Sequence, residues 1–332
     1  MPWSPRCEPA PNPNSQFGIP ASALDPILLL RVSAPPIVCF GEILWDCLPR
    51  GLFLGGAPFN VACHLARLGR SAALISAVGA DFLGDEALRR ARREGLDTAQ
   101  ITRLPEIPTG VVQVQVSAGD HAVYDFSAPA AWDFIPAAAP EHALTGRSAA
   151  FVYGSLAARS AASRAALESL LAVPGPLKVF DVNLRPPHDD LARVRALARH
   201  AGLVKLNAEE LAALAGRPFA PEDDPRPLLQ SLRDDTGVTR WCVTLGASGA
   251  VWWQGGEVVR AAAPSVAVRD TVGAGDAFLA ALVDGLTRLP QFAATVTNPR
   301  EISLLLARAC RLGALVASRD GACPEYRIEE IA

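Results

Sequence analysis

The sequence predicts an α/β protein with a mainly parallel sheet covered by helices on both faces, and three observations carry that prediction. From Ile37 onward, short apolar and β-branched runs alternate with stretches of helical periodicity. One segment, 109–128, breaks this rhythm with clear residue-by-residue alternation on either side of Gly119-Asp120, the pattern of a hairpin with one exposed face. Half of the 332 residues are hydrophobic and a fifth are charged, which suits one large domain with a substantial core.

Taken in order, 37–40 reads as a buried strand, and 42–48 continues as extended structure. Val61, Leu65 and Leu68, with Ala62 and Ala66, form one helix face that stops at Gly69. A strand over 73–78 leads to a helix over 85–94 closed by Gly95. Its arginines Arg89, Arg90, Arg92 and Arg93 predict a solvated face rather than a polyanion site. The hairpin, 110–116 with 122–126, stands apart as a small accessory sheet, a lid formed from about 44–58 and 109–130. Strands at 150–153, 178–182, 203–206 and 241–244 then restore the α/β rhythm. Such sheets bind ligands beyond the carboxyl ends of their strands. The first 36 residues hold nine prolines and read as a mostly disordered extension, so the folded domain is expected over 37–332.

Composition excludes several function classes. The net charge of −3 gives no general attraction to nucleic acid or to an anionic membrane. The apolar run 27–30 ends at Arg31, far short of the twenty or so residues of a membrane span, and no secretory signal precedes it. The seven cysteines, Cys7, Cys39, Cys47, Cys63, Cys242, Cys310 and Cys323, are odd in number and lack C-x-x-C spacing. Buried free thiols and a cytoplasmic setting are therefore expected. The five histidines show no metal-ligand spacing.

The chemistry concentrates in Asp270-Thr-Val-Gly-Ala-Gly-Asp276-Ala-Phe278, followed by an apolar helical run to Leu286. A tight glycine turn that opens a helix binds anions, because orphan amides and the helix dipole face the ligand. Asp276 puts negative charge into that setting. It either caps the helix, or it takes a proton from a hydroxyl that attacks a phosphoryl group. Other phosphate motifs fail on residues. Gly273–Gly275 is the one Gly-x-Gly, and Phe278 occupies the next glycine position of a dinucleotide fingerprint. The only lysines, Lys178 and Lys205, follow Leu177 and Val204, so neither completes a P-loop, and no His-Arg-Asp exists.

Two further segments, Gly41-Glu-Ile-Leu-Trp-Asp46 and Gly55-Gly-Ala-Pro-Phe-Asn60 running on to Gly69, join the Asp270–Asp276 motif. Together they resemble the paired signatures of the ribokinase-like (PfkB) carbohydrate kinases, nearest to bacterial fructokinases. The resemblance covers residues 37–328. It implies a ribokinase-like three-layer sandwich with a small β-sheet lid, and an ATP-dependent sugar kinase using Mg²⁺ and, in some members, K⁺. Asp276 matches the catalytic base, and the amides of Gly273, Ala274 and Gly275 match the anion hole. Asp46, Gly55, Gly56 and Asn60 match the sugar site, where a plain helix cap is the alternative for Asn60 and a structural role that for Asp46. Asn183 and Arg185, in Asp181-Val-Asn-Leu-Arg185, match a strand-end motif near substrate, although Arg185 can also be a surface residue. Lys205, Asn207 and Glu210 match the motif that organises Mg²⁺ through water, with Glu209 as the rival acid. Thr244, Gly246 and Gly249 match the nucleotide loop, against an ordinary turn. Asp270 and Gly321 match the monovalent-cation loop.

The resemblance further implies fructose as the sugar, with 2-keto-3-deoxygluconate or another sugar as the alternative within the family and a non-catalytic sugar or nucleotide sensor outside it. Homodimerisation through the lid is also implied. Ala57-Pro58 replaces the lysine of ribose-specific members, which disfavours ribose. The arginine that many fructokinases place after the hairpin is missing; His121, Tyr124 and Asp125, with Trp132-Asp133 beyond, stand there instead.

Overall fold

Among the described residues, nine strands form the main sheet of the computed structural model, in the order Glu257–Ala261, Ala250–Gln254, Arg240–Thr244, Leu203–Asn207, Leu177–Asp181, Ala150–Gly154, Ile37–Phe40, Ala72–Gly79 and Ile101–Leu104. The structure describes residues 34–48, 51–116, 122–289 and 298–331, all within one unit that begins at Ala34. Most of the expected 1–36 extension lies outside them.

The central strands are β1 (Ile37–Phe40), β4 (Ala72–Gly79) and β5 (Ile101–Leu104) on one side, and β8 (Ala150–Gly154), β9 (Leu177–Asp181), β10 (Leu203–Asn207) and β11 (Arg240–Thr244) on the other. These pair in parallel, while β12 (Ala250–Gln254) and β13 (Glu257–Ala261) close one edge antiparallel. The remaining strands, β2 (Leu44–Leu48), β3 (Gly51–Gly55), β6 (Gly110–Val116) and β7 (Ala122–Phe126), form a separate sheet in the order β3-β2-β6-β7. The expected hairpin β6–β7 is there, antiparallel, with β2 pairing parallel to β6.

Period-two burial splits the core into two layers. In β1, Ile37 and Cys39 join one apolar cluster and Val38 and Phe40 the other, so a strand buried on both faces must be apolar throughout. The first layer is covered by α1 (Ala57–Arg67), α2 (Phe82–Arg93), α8 (Ala274–Leu286) and α9 (Pro299–Ala317). The second is covered by α4 (Ala161–Leu171), α5 (Leu191–Ala198), α6 (Ala208–Ala215) and α7 (Arg226–Thr236), with Leu144 of α3 (Ala139–Gly146). That is the three-layer sandwich. Chain direction along the strand order reverses at β1, flanked by β4 and β8, and a crevice opens at such a point.

A buried ion pair anchors the segment that leaves the lid. Arg159 Nε and Nη2 donate to the two carboxylate oxygens of Asp133, each at 2.8 Å, and Nη2 also donates to Ser127 O at 2.8 Å. Its guanidinium lies 3.8 Å from the Trp132 ring centroid. Trp132 and Asp133, noted above beyond the hairpin, are buried in this anchor and do not line the cleft. Removing one partner leaves a buried charge alone, so Arg159→Ala should lower the unfolding free energy by about 3–5 kcal/mol. Urea denaturation checks this, and a loss below about 1 kcal/mol, the scale of a surface pair, would contradict it.

Candidate active site

A cleft of about 1150 Å³ opens over the carboxyl ends of β1, β9, β10 and β11, with the small sheet along one side. Asp276, Asp46, Asn60, Asn183, Arg185, Lys205, Asn207, Glu210, Thr244, Gly246, Gly249, Asp270 and Gly321 all line it. So do Gly56 and Gly273 to Gly275. Gly55 stands directly behind: a Cβ there would lie 2.5 Å from Asp46 Oδ2, so only glycine lets the carboxylate fold back over β3. Residues spread over more than two hundred positions thus meet at one sheet edge.

Asp276 occupies the third position of α8 behind Gly273, whose left-handed φ of 77° sets the turn. No side chain caps this helix, so Asp276 is not a cap. Its Oδ2 instead accepts from Asn60 Nδ2 at 2.8 Å. Asn60 is equally not a cap: it sits one turn inside α1, whose N-cap is Gly56. Burial raises the Asp276 carboxyl to about 6, helped by the nearby Asp181 charge and opposed by Asn60, Lys205 and Arg185. At neutral pH the group is therefore ionised, yet basic enough to take a proton. Of the three expected anion-hole amides, Ala274 N–H already donates to Thr271 O at 3.3 Å, so the hole rests first on Gly273 and Gly275.

Beneath that turn lies a lysine. Lys205 Nζ donates to Asp181 Oδ1 at 2.9 Å, and a Cβ on Gly275 would approach Nζ to 3.1 Å. Burial alone would favour the neutral amine, but Asp181, Glu210 and Asp276 outweigh it and hold the ammonium above its usual range. Glu210 spends its carboxylate on backbone. Oε1 accepts from Leu184 N at 2.9 Å and Oε2 from Asn207 N at 2.8 Å, while Asn207 Oδ1 accepts from Glu210 N at 2.8 Å. This is a capping box that starts α6. Glu209 is exposed, so the rival acid is set aside.

Around Asp46 the cleft gathers the carboxylates of Glu42, Asp46 and Asp276 beside Arg185. Burial raises Asp46 to about 6, with Arg185 opposing and Asp276 adding to the rise. The same guanidinium draws down Glu42 and Asp276. Asn183, at φ 42°, takes a left-handed conformation that asparagine tolerates better than most residues. At the other end, Gly246 and Gly249 turn at φ 56° and 94°, and a Cβ on Gly249 would strike Ala261 O at 2.0 Å. Beyond them the wall is small or apolar: Ala263, Pro264, Val266, Gly313, Ala314 and Ala317.

Among the described residues, no cluster of three or more His, Cys, Asp or Glu could hold a metal by itself. One oxygen nonetheless fits Mg²⁺: Asp181 Oδ2, a hard carboxylate donor buried beside Lys205, has no hydrogen-bond partner, whereas both Glu210 oxygens are held by backbone amides. Asp270 and Gly321 do meet, since Gly321 N donates to Asp270 Oδ2 at 3.3 Å.

Three features were not legible from motifs. Glu42 is buried in the cleft wall, Phe126 lines the cleft after the hairpin, and Arg90 lies over the Trp45 ring at 4.8 Å. Arg90 and Arg93 reach the cleft, so the basic face of α2 is only partly the solvated surface expected. His121 lies outside the described residues. Cys39, Cys63, Cys242 and Cys310 are buried as expected, whereas Cys47 is exposed, Cys323 is half-buried and Cys7 lies outside the described residues.

A buried carboxylate beside helix-start amides, further carboxylates around Asp46 and a glycine turn walled by small and apolar residues fit a phosphotransferase acting on an alcohol. Residues 49–327 match the model of the pfkB family carbohydrate kinases, and the chain belongs to that family. It is 30% identical to Fructokinase-1 of Oryza sativa subsp. japonica over 88% of this chain and 95% of that one. It is also 30% identical to the fructokinase of Escherichia coli, over 85% and 93%. The fructokinase of Xylella fastidiosa with bound ATP superposes with a TM-score of 0.78 at 26% identity, covering 90% of this chain and 97% of that one. The Vibrio cholerae O395 fructokinase in its fructose, ADP and calcium ion bound form gives 0.73 at 26% identity, covering 87% and 95%. The protein is an ATP-dependent sugar kinase. No helix among the described residues is long and apolar enough to cross a membrane.

A base with its pKa raised to about 6 is lost as pH falls through 6. The logarithm of kcat/KM should therefore decline below about pH 6, and more steeply than one proton allows because Asp46 titrates there too. A pH–rate profile of the free enzyme checks this; a plateau held down to pH 5 would contradict it.

Proposed function

We propose that this kinase phosphorylates a primary hydroxyl of a neutral ketohexose, fructose to fructose 6-phosphate, with Asp276 as base. The observation that carries the reading is the charge of the sugar half. Glu42, Asp46 and Asp276 share the influence of one guanidinium, Arg185. Arg90 and Arg93 also reach the cleft, yet neither is among the charges that act on these three carboxylates. A sugar acid such as 2-keto-3-deoxygluconate would therefore bring a further negative charge to that group, whereas a neutral polyol offers hydroxyl donors to carboxylates. The fructokinase relatives, one of them with fructose bound, support the same choice.

In this reading Asp46 and the Asn60 side accept and orient the hydroxyls, while Asp276 receives the proton of the attacking one. That oxygen bonds to the γ-phosphorus of ATP, the bond to the bridging oxygen breaks, and ADP leaves. The amides of Gly273 and Gly275 donate to the transferring phosphoryl oxygens, and one such donor is typically worth about 3 kcal/mol. Mg²⁺ would be held near Asp181 and Glu210, largely through water, and would supply charge neutralisation at the ATP phosphates. Asp270 and Gly321 are assigned to a monovalent cation, as supported by a Vibrio cholerae fructokinase structure with fructose, ADP and potassium. Thr244, Gly246 and Gly249 face the nucleotide.

We further place the kinase domain at 37–332, working in the cytoplasm and pairing as a homodimer through the face of the β2-β3-β6-β7 sheet on which Leu52 and its cross-strand partner Cys47 are exposed.

A coupled ADP-release screen over ketoses, aldoses, sugar acids and nucleosides tests the substrate, with fructose expected to give the highest kcat/KM. Asp276→Asn should cut turnover by roughly 10²–10⁴ and leave ATP affinity within about twofold. Faster turnover of a sugar acid than of any neutral sugar would overturn the substrate; undiminished turnover in Asp276→Asn would overturn the base.

A further inference from the structure

One face of α1 grips the loop that follows α9. Asn60, His64 and Arg67 stand at positions i, i+4 and i+7, so their side chains leave the helix on the same side. Asn60 reaches Asp276, and the other two reach residues 322–326. Arg67 Nη1 donates to Cys323 O at 2.9 Å and also to Pro324 O. Glu94, at the end of α2, fixes the same guanidinium by accepting from Nε at 2.8 Å. His64 is fully buried, and it is the titratable group of this stripe that the mechanism above leaves without a task.

Two contacts fix its imidazole. Nε2 lies 3.0 Å from Ala322 O and Nδ1 lies 3.1 Å from the Tyr326 hydroxyl, with the two rings stacked at a centroid distance of 5.7 Å. A carbonyl only accepts, so Nε2 carries a hydrogen and donates it to Ala322. That assignment holds whether or not Nδ1 is protonated.

The Ala322 oxygen borders the anion turn directly. Gly273, at φ 77°, starts α8, and a Cβ there would lie 2.6 Å from both Ala322 O and Ala322 Cα. One residue earlier, Gly321 N donates to Asp270 Oδ2 at 3.3 Å, so the two loops touch twice. Carbonyl oxygens deprived of a donor seek another. Beside Gly273, the donors at stake are the amides that the phosphoryl group needs.

We propose that His64 is a positioning residue for phosphoryl transfer: it occupies the Ala322 carbonyl, holds the 319–324 loop under Gly273 and keeps the anion-turn amides open. The effect on transfer rests on the reaction proposed above; the contact between the loops does not. The contact requires an N–H at the place of Nε2. Glutamine supplies one, and leucine, of similar bulk, does not.

Two measurements on His64→Leu and His64→Gln test this. Calorimetric titration with ADP and aluminium fluoride, beside the fastest sugar of the ADP-release screen, reads the grip on a mimic of the transferring phosphoryl group. His64→Leu should weaken the fluoride complex about tenfold with ADP alone within about twofold of the parent, and His64→Gln should stay within about threefold in both. An unfolded fraction lowers the stoichiometry and leaves the affinities alone, so that pattern in His64→Leu would show a merely structural role and overturn the proposal. In hydrogen exchange read by mass spectrometry, which needs no turnover, peptides covering 270–277 and 318–325 should exchange faster in His64→Leu and at the parental rate in His64→Gln. Should His64→Leu fail to fold, His64→Asn, whose amide is too short to reach Ala322 O, takes its place with the same expectations. Unmoved exchange in both peptides, or equal effects of leucine and glutamine, would also overturn the proposal. A parent protein whose ADP affinity ignores fluoride with every sugar, while exchange behaves as stated, would instead overturn the assignment of the anion turn and leave the loop contact standing.

Discussion

One buried ammonium organises the catalytic floor. Lys205 is 6% exposed, bonded to Asp181 at 2.9 Å, and acted on by Glu210 and Asp276 as well. Three carboxylates within reach of a single cation would repel one another in a low-dielectric interior, and burial would drive them toward the neutral form. The lysine prevents this, and Arg185 does the same from the sugar side. Together they keep Asp276 near 6, where it is ionised at neutral pH and still able to take a proton. The fold accommodates the lysine by placing Gly275 above it, since any side chain would press on Nζ.

Around that centre the backbone does much of the work. α1 and α8 both start at glycines with positive φ and both point their first turns into the cleft. In the proposed reaction the amides of Gly273 and Gly275 at α8 would receive the transferring phosphoryl group, while from α1 Asn60 Nδ2 donates to Asp276 Oδ2 at 2.8 Å. Gly273 also fits closely against Ala322, where a Cβ would meet the Ala322 backbone at 2.6 Å, so the anion turn and the Asp270–Gly321 loop cannot move independently.

Much of this was legible in the sequence. The strands buried on both faces announce themselves by continuous apolar runs, and the hairpin by its alternation, so 110–116 and 122–126 match β6 and β7 residue for residue. The strand-end motifs locate the cleft because a parallel sheet brings its carboxyl ends to one edge. Roles that depend on partners far along the chain were not legible. Arg159 carries no signal that it will hold Asp133, 26 residues away, so the burial of Trp132-Asp133 in that anchor was not legible. The alternatives of a cap for Asp276 or Asn60 fell only once the helix starts were placed at Gly273 and Gly56. For Glu210 the spacing from Asn207 was visible, but both its oxygens proved to be held by backbone amides.

Burial and the Asp181 charge raise the proton affinity of Asp276, and Lys205, with Asn60 and Arg185, lowers it. The direct measurement is the pH dependence of kcat/KM in Lys205→Met beside Lys205→Arg, with folding confirmed by thermal melting. Loss of the cation should move the acid limb upward from near pH 6, while Lys205→Arg leaves it in place. An acid limb unchanged in folded Lys205→Met would contradict the account.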